Sequence, residues 1–178
     1  MIWQNSPYLV SAYGFDMNRF VVSILCLAFA IMCTQHAHAT EETKARAEHD
    51  IKSVSGLWYT EDKEGIIELY PCEGKICGRF FWVKDETDGS TSLDTNNPDP
   101  EKQNIPLCGM KFMWNFTPDE NGEFHSGCIY SPRHGSNFNA TLRLVDTETL
   151  ILHGYFILPI FGENQTWTKA KDVKPCEM

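Results

Sequence analysis

The sequence predicts an all-β protein, an eight-stranded antiparallel up-and-down barrel that follows an N-terminal signal peptide. From residue 54 to residue 170, short runs rich in β-branched and aromatic residues alternate with clusters of Gly, Pro, Asn and Asp. No part of this region keeps a helical period of apolar residues. Neighbouring runs joined by short turns favour antiparallel hairpins, and eight of them in series suit a closed barrel.

The predicted strands differ in how their apolar residues are arranged. In the sixth strand Leu142 and Leu144 alternate with Arg143, as expected when one face is buried. The third strand has four consecutive apolar residues, Phe80 to Val83, and so is apolar on both faces. The eight predicted strands are Val54–Thr60, Gly65–Cys72, Lys75–Lys84, Leu107–Asn115, Phe124–Tyr130, Asn137–Val145, Thr149–Ile157 and Gln165–Ala170.

Residues 1–39 have the order of features found in a secretory signal peptide. Arg19 precedes an uncharged apolar run from Phe20 to Cys33, and the segment ends in Ala37-His38-Ala39. The run is shorter than the ~20 residues that span a bilayer, which favours a cleaved leader over an anchor. Met17 is the expected start, which would make residues 1–16 a gene-start artefact.

The exported part of the chain is acidic. Cleavage after Ala39 leaves 139 residues with 14 basic and 23 acidic side chains, a net charge of -9. This charge disfavours nucleic acids and anionic membranes as partners. Residues 40–53 are polar and are expected to be a solvated leader, with a short helix as the alternative. Residues 54–170 are the predicted barrel domain, 171–178 a C-terminal tail, and no transmembrane span is expected in the mature chain.

Five cysteines remain after cleavage. Cys72 and Cys77 flank a predicted turn at Gly74-Lys75, where they would lie directly opposite each other and form a disulfide. Export to an oxidising compartment supports this pairing. Of Cys108, Cys128 and Cys176, one pair is expected, either between the first two or with Cys176 tying the tail. The sequence leaves the third thiol free or paired between chains.

The connection from Asp85 to Ile105 is the long exception among short turns. Loops of this length are often functional, so it is a candidate lid over a barrel mouth, or else an acidic flap. Its acidic residues do not follow the EF-hand spacing, and no metal site or cofactor is predicted. The chain also has no H-E-x-x-H helix and no G-x-S-x-G turn, so we expect no enzyme and assign no catalytic residue.

Several short motifs follow one another along the predicted barrel. They are Gly56-Leu57-Trp58-Tyr59-Thr60, Cys72 through Cys77-Gly78-Arg79, Asp94-Thr95-Asn96-Asn97-Pro98, Pro106-Leu107-Cys108-Gly109, Gly127-Cys128-Ile129-Tyr130-Ser131-Pro132, Phe161-Gly162 and Thr166-Trp167-Thr168-Lys169. Together they resemble DUF2147, an exported bacterial family of unknown function, over essentially all of residues 54–170. The resemblance implies bacterial envelope export, here to the periplasm, and a small β domain, but no activity.

The two ends of the predicted barrel also resemble calycins, the superfamily that includes lipocalins. Gly56 and Trp58 match the G-x-W of the first calycin strand, and Lys169, close to Trp167, matches the basic residue of the last. The resemblance implies a structural role for these four residues, with the Lys169 ammonium over the Trp58 indole. Such a contact is worth about 1 kcal/mol.

The chain departs from the DUF2147 pattern at a few positions. Gln103 and Ile105 stand where arginines are usual, and Ser131 stands where an aspartate is usual. The usual final basic residue is also arginine, and Lys169 lacks its planar fork. If those charged positions bind something in relatives, this chain has lost or altered it.

The leading functional hypothesis is a periplasmic, non-catalytic protein that binds a small apolar or amphipathic ligand at one barrel mouth. Motif position places Trp82, Asp94, Asn97 and Tyr130 at the rim of that site. The many aromatic residues predict a narrow or partly occluded cavity. The alternative is an envelope protein-interaction module with a filled barrel, whose partner docks on the doubly apolar Lys75–Lys84 strand.

Overall fold

The computed structural model describes residues 40–84 and 92–176. The chain divides into two units, Met1–Thr43 and Lys44–Met178. Of the first unit only residues 40–43 are described, and they are helical. The signal peptide and its cleavage site lie outside the described residues, and both stay predictions.

The second unit contains the predicted closed eight-stranded antiparallel barrel. Each strand pairs with the next along the chain, and the last strand pairs with the first. The fourth strand begins four residues later than predicted, because Leu107–Met110 form a turn in which the Met110 amide donates to the Leu107 carbonyl. The strands are β1 (Gly56–Tyr59), β2 (Gly65–Cys72), β3 (Lys75–Val83), β4 (Lys111–Pro118), β5 (Phe124–Ser131), β6 (Ser136–Asp146), β7 (Thr149–Tyr155) and β8 (Glu163–Lys169).

The segment before the barrel is a helix over residues 40–54 (α1), not the solvated leader that its polarity favoured. Its Glu, Lys, Arg and Ala residues have high helix propensity. Ile51 and Val54, one helical turn apart, are buried in the barrel core. The Arg46 guanidinium donates to the Glu120 carbonyl in the β4–β5 turn. α1 therefore covers one end of the barrel, which we call the closed end.

Trp58 and Lys169 meet at this closed end. Trp58 is fully buried, and its indole N–H donates to the Val54 carbonyl at 2.8 Å. Lys169 Nζ lies 4.2 Å from the centre of the Trp58 ring and donates to the Ser55 carbonyl. Burial lowers the pKa of Lys169, an effect that Glu148 opposes and Lys171 reinforces. Gly56 has a φ of 122°, and a β-carbon there would stand 3.2 Å from the Lys169 ammonium.

The last strand also contributes a buried indole. Trp167 is opposite Leu150 on β7 and is almost fully buried within the core. Its indole N–H donates to the Gln165 side chain at 3.0 Å, which satisfies the polar group of this large side chain.

The barrel interior next to the closed end is filled by aromatic and aliphatic side chains. Two glycines make room for them. A β-carbon on Gly127 would overlap the Phe116 ring, and one on Gly78 would stand 2.7 Å from the Met113 sulfur. Phe116 and Met113 are fully buried. The interior around these residues is therefore packed at close contact.

The Cys72–Cys77 disulfide is confirmed, with 5.8 Å between α-carbons. The predicted turn was wrong by one residue, which shifts the partner of Cys77 by two residues. The turn residues are Glu73 and Gly74, both with positive φ, so Cys72 pairs with Lys75 and Cys77 with Tyr70. Paired positive φ values match the twist of a two-residue hairpin turn. The disulfide therefore runs diagonally across the hairpin, between residues on the same face.

The second disulfide joins Cys108 to Cys176, one of the two alternatives that the sequence left open. The Cys176 amide donates to the Phe81 carbonyl, so the tail crosses β3. Cys128, alone among the described cysteines, is a free thiol and is partly buried. The four apolar residues Phe80 to Val83, predicted as a docking face, are all partly buried.

A matched pair of substitutions tests the packing of the interior. Gly127→Ala should lower the free energy of unfolding by about 3 kcal/mol, because the new methyl group must displace the Phe116 ring. Gly154→Ala places its β-carbon 3.5 Å from Ile129, an ordinary contact, and should change stability by about 0.5 kcal/mol or less. Urea unfolding measures both. Equal effects at the two sites would contradict a close-packed interior.

The two disulfides should contribute unequally. In the chain-entropy model the cost of losing a crosslink rises with the length of the closed loop. Replacing Cys108 and Cys176 by Ser, a separation of 68 residues, should lower the free energy of unfolding by about 4 kcal/mol. Replacing Cys72 and Cys77, a separation of 5, should cost about 2 kcal/mol. Denaturant unfolding of both double variants checks the order, and the reverse order would contradict the loop argument.

Candidate functional site

The end of the barrel away from α1, which we call the open end, is formed by four connections. They are the β1–β2 turn, the long β3–β4 connection, the β5–β6 turn and the β7–β8 connection. The strand directions alternate, so all four emerge at the same end. They carry three of the sequence motifs, Asp94–Pro98, Pro106–Gly109 and Phe161-Gly162.

A cavity of about 530 Å³ lies among these connections. Its apolar lining includes Phe80, Val83, Leu93 and Leu107. Phe80 stacks on Phe112 with 4.2 Å between ring centres and packs against the barrel core, so it marks the boundary between cavity and filled interior. The polar and remaining lining residues are Thr60, Asp62, Glu64, Gly65, Lys84, Ser92, Thr95, Asn96, Ser131, Pro132, Arg133, His134 and Gln165.

The charged groups around the cavity balance one another. The Glu64 carboxylate lies 3.5 Å from the Arg133 guanidinium and 3.7 Å from the Lys84 ammonium. About half or more of each of these three side chains is exposed. Asp62 accepts from the Thr60 hydroxyl at 2.7 Å and from the Glu64 amide. Although burial raises the pKa of Asp62, these hydrogen bonds and Arg133 hold it below its usual range. With two acidic and two basic side chains, the lining has no strong preference for a charged ligand.

Asp94 organises the described part of the long connection. Its side chain is buried, with 1% exposed, and both carboxylate oxygens accept hydrogen bonds. The Tyr130 hydroxyl donates to one at 2.9 Å, and the Asn97 amide donates to the other at 2.6 Å. Its backbone amide donates to the Ile105 carbonyl at 3.0 Å. Loss of these hydrogen bonds would leave a buried carboxylate without partners, which is costly. The hydrogen bond from Tyr130 to Asp94 therefore fixes the connection to β5.

Three of the four predicted rim residues thus meet in one cluster, but as a support behind the cavity wall. Asp94, Asn97 and Tyr130 are not among the described residues that line the cavity; their neighbours Leu93, Thr95 and Asn96 are. Trp82, the fourth, lies apart on β3 opposite Ile66 and is partly buried. The direct roles predicted for these residues in ligand contact stay predictions.

The connection also docks on the β5–β6 turn, a contact that the sequence did not reveal. The Asn96 side chain donates to the Arg133 carbonyl at 3.1 Å. Gly135 has a φ of 59°, and a β-carbon there would overlap the Asn96 carbonyl oxygen. Only a residue without a side chain allows this approach. Residues 85–91, the first part of the predicted lid, lie outside the described residues.

Of the four positions expected to depart from the family pattern, Gln103, Ile105 and Ser131 lie at the open end, whereas Lys169 lies at the closed end. The Gln103 side chain donates to the Asn97 carbonyl at 2.9 Å and so contributes to the fold of the connection. Ser131 lines the cavity, and its hydroxyl lies 2.9 Å from His134 Nδ1. Ile105 is 40% exposed. Gln103 and Ser131 therefore place polar groups beside and within the cavity.

A family model described as "uncharacterized protein conserved in bacteria", DUF2147, matches residues 56–169. The match spans all eight strands and the four connections of the open end. The chain belongs to this family. The resemblance inferred from the motifs is confirmed, and a comparison with curated proteins finds no match.

The solved structures support the lipocalin-like architecture. Protein HP1028 from the human pathogen Helicobacter pylori, described as belonging to the lipocalin family, is similar with a TM-score of 0.59. The two chains are 19% identical, and the match covers 67% of this DUF2147 protein and 84% of HP1028. At this identity the likeness concerns the fold. Within residues 40–84 and 92–176, no helix is long and apolar enough to span a membrane.

The Tyr130–Asp94 contact makes a titration prediction. Burial raises the pKa of the Tyr130 phenol to about 12, and the hydrogen bond and charge of Asp94 act in the same direction. The ordinary value is about 10, so the folded protein retains this proton more tightly than the unfolded chain. The stability from this group is complete below about pH 10 and is lost as the pH rises towards 12.

Tyrosinate absorbance against pH measures this directly. We expect one phenol to ionise well above the others, and Tyr130→Phe to remove that late step. Asp94→Asn should move it to lower pH, because the neighbouring negative charge is gone. A late step that persists in Tyr130→Phe would contradict the assignment.

Proposed function

We propose that this DUF2147 protein is an exported, non-catalytic carrier that binds a small apolar or amphipathic molecule at the open end of its barrel. The cavity of about 530 Å³ carries this proposal. Its volume lies in the ordinary range for small-molecule sites, roughly 300–1,000 Å³. The filled interior beside α1 limits the ligand to the outer half of the barrel.

The lining indicates the class of ligand. Phe80, Val83, Leu93 and Leu107 offer apolar surface, and burial of ligand there is favourable by roughly 25 cal/mol per Å². The polar and charged groups come from the surrounding turns and balance in sign. A neutral or zwitterionic head group at the rim, with an apolar part against Phe80, fits this distribution.

The periplasm is the proposed location. Two disulfides, Cys72–Cys77 and Cys108–Cys176, are compatible with an oxidising compartment. The secretory leader predicted in residues 1–39 also supports export to this compartment. The second candidate, a partner docked on β3, has less support, because the tail crosses that strand and its apolar residues are partly buried.

Native mass spectrometry of the protein purified gently from the periplasm, without reduction, tests the carrier. We expect an additional mass of a few hundred daltons that is lost on denaturation. Leu107→Trp should fill part of the cavity and weaken binding of the same molecule about tenfold, equal to about 1.4 kcal/mol. Val145→Trp, on an exposed site at the closed end, is the matched control. A bare mass, or equal binding by both variants, would count against the carrier.

A further inference from the structure

The β7–β8 connection is an apolar tip at the open end. Its large side chains face solvent: Phe156 is 66% exposed, Ile157 74%, Leu158 53%, Ile160 83% and Phe161 82%. An isolated exposed apolar residue is unremarkable, but five within six consecutive positions form a contiguous patch. Such exposure is unfavourable in water unless something covers the patch.

Hydrogen bonds hold this tip in one shape. Pro159–Phe161 form a single 3-10 turn, in which the Phe161 amide donates to the Leu158 carbonyl and the Gly162 amide to the Pro159 carbonyl. His153 Nε2 donates to the same Pro159 carbonyl at 2.8 Å. The Asn139 side chain donates to the Phe156 carbonyl at 3.0 Å. The patch is therefore supported from β6 and β7 and is not a loose loop.

The same hydrogen bonds help the tip to enter an apolar phase. Transfer of a free amide or carbonyl into an apolar phase is costly. The amides of Phe161 and Gly162 and the carbonyls of Phe156, Leu158 and Pro159 already have partners within the protein. The tip can thus lose water around these groups without leaving them unpaired.

The charge pattern favours a neutral lipid surface. From Gly154 to Gly162 the only ionisable side chain is the Tyr155 phenol. The chain as a whole is acidic, with a net charge of -9, so an anionic surface would repel it. Tyr155, at the base of the tip, is a residue type that is enriched where apolar and aqueous phases meet.

A second copy of the chain fits the tip less well. Stable protein interfaces bury about 800 Å² on each partner and involve about 20–30 residues a side. Here six residues project, and side chains as exposed as Ile160 and Phe161 form a narrow convex tip. An apolar phase that closes around a small tip suits this shape better than a rigid flat partner.

We propose that the Phe156–Phe161 tip inserts into the interface of a neutral phospholipid bilayer. Its side chains enter the boundary between head groups and acyl chains, while the barrel stays in water. Because the tip and the cavity share the open end, docking turns the cavity towards the membrane surface. The insertion depends on the tip alone and holds whether or not the cavity binds a ligand.

Vesicle sedimentation tests the proposal, using protein purified after expression of the full chain and phosphatidylcholine vesicles. Replacing Ile160 and Phe161 together by Ser should weaken binding at least about tenfold, since two large side chains leave the apolar phase. Val145→Ser removes an exposed apolar side chain at the closed end and should bind as the wild type does. All three proteins share the same N-terminus, so binding through that segment appears equally in each.

Ile160 and Phe161 are more than four-fifths exposed, so the double variant should keep the wild-type unfolding midpoint. Adding anionic lipid to the vesicles should weaken wild-type binding. Absence of vesicle binding by the wild type, or equal binding by the tip variant, overturns the proposal. Sedimentation velocity tests the alternative, in which the tip binds a second copy of the chain. A dimeric wild type and a monomeric tip variant, neither of which binds vesicles, would assign the tip to that contact instead.

Discussion

Closure of the barrel depends on a very short contact between its first and last strands. β1 has four residues, and it pairs with β8 only at Trp58–Lys169 and Tyr59–Thr168. The side chains at this seam reinforce it, since the Lys169 ammonium lies over the Trp58 ring and Lys63 donates to Thr168. Beyond the strand, the Ala170 amide donates to the Leu57 carbonyl. An open sheet would leave two unpaired edges, so the rest of the fold depends on this seam.

The seam also explains why the two ends of the barrel differ. Trp58 anchors the last turn of α1 through the Val54 carbonyl, and α1 then covers the closed end with Ile51 and Val54. Within residues 40–84 and 92–176, no comparable helix covers the other end. There the long connection is held by a buried carboxylate, Asp94, and a turn glycine, Gly135. These contacts hold the connection without packing apolar side chains between it and the core. A cavity therefore remains between them.

The sequence predicted the features that depend on local patterns. Alternating apolar residues and turn residues located all eight strands, and Cys72 and Cys77 were close enough along one hairpin to indicate their pairing. A helix before the barrel was predicted only as the alternative to a solvated leader, because Ile51 and Val54 are too few to give a helical apolar period. The burial of Asp94 depends on Tyr130, 36 residues away, and no local pattern carries such information. Likewise Ile157 was predicted inside a strand, whereas β7 ends at Tyr155 and the next residues turn out into solvent.

The Cys108–Cys176 crosslink turns the part of the chain from β4 to β8 into a covalent ring. The exposed turns of these five strands, and the protruding Phe156–Phe161 connection, all lie inside the ring. A protease that cuts any one of them opens the ring but releases no fragment, because both new ends stay attached through the sulfur bridge. A nicked barrel of this construction can therefore still keep its strands together.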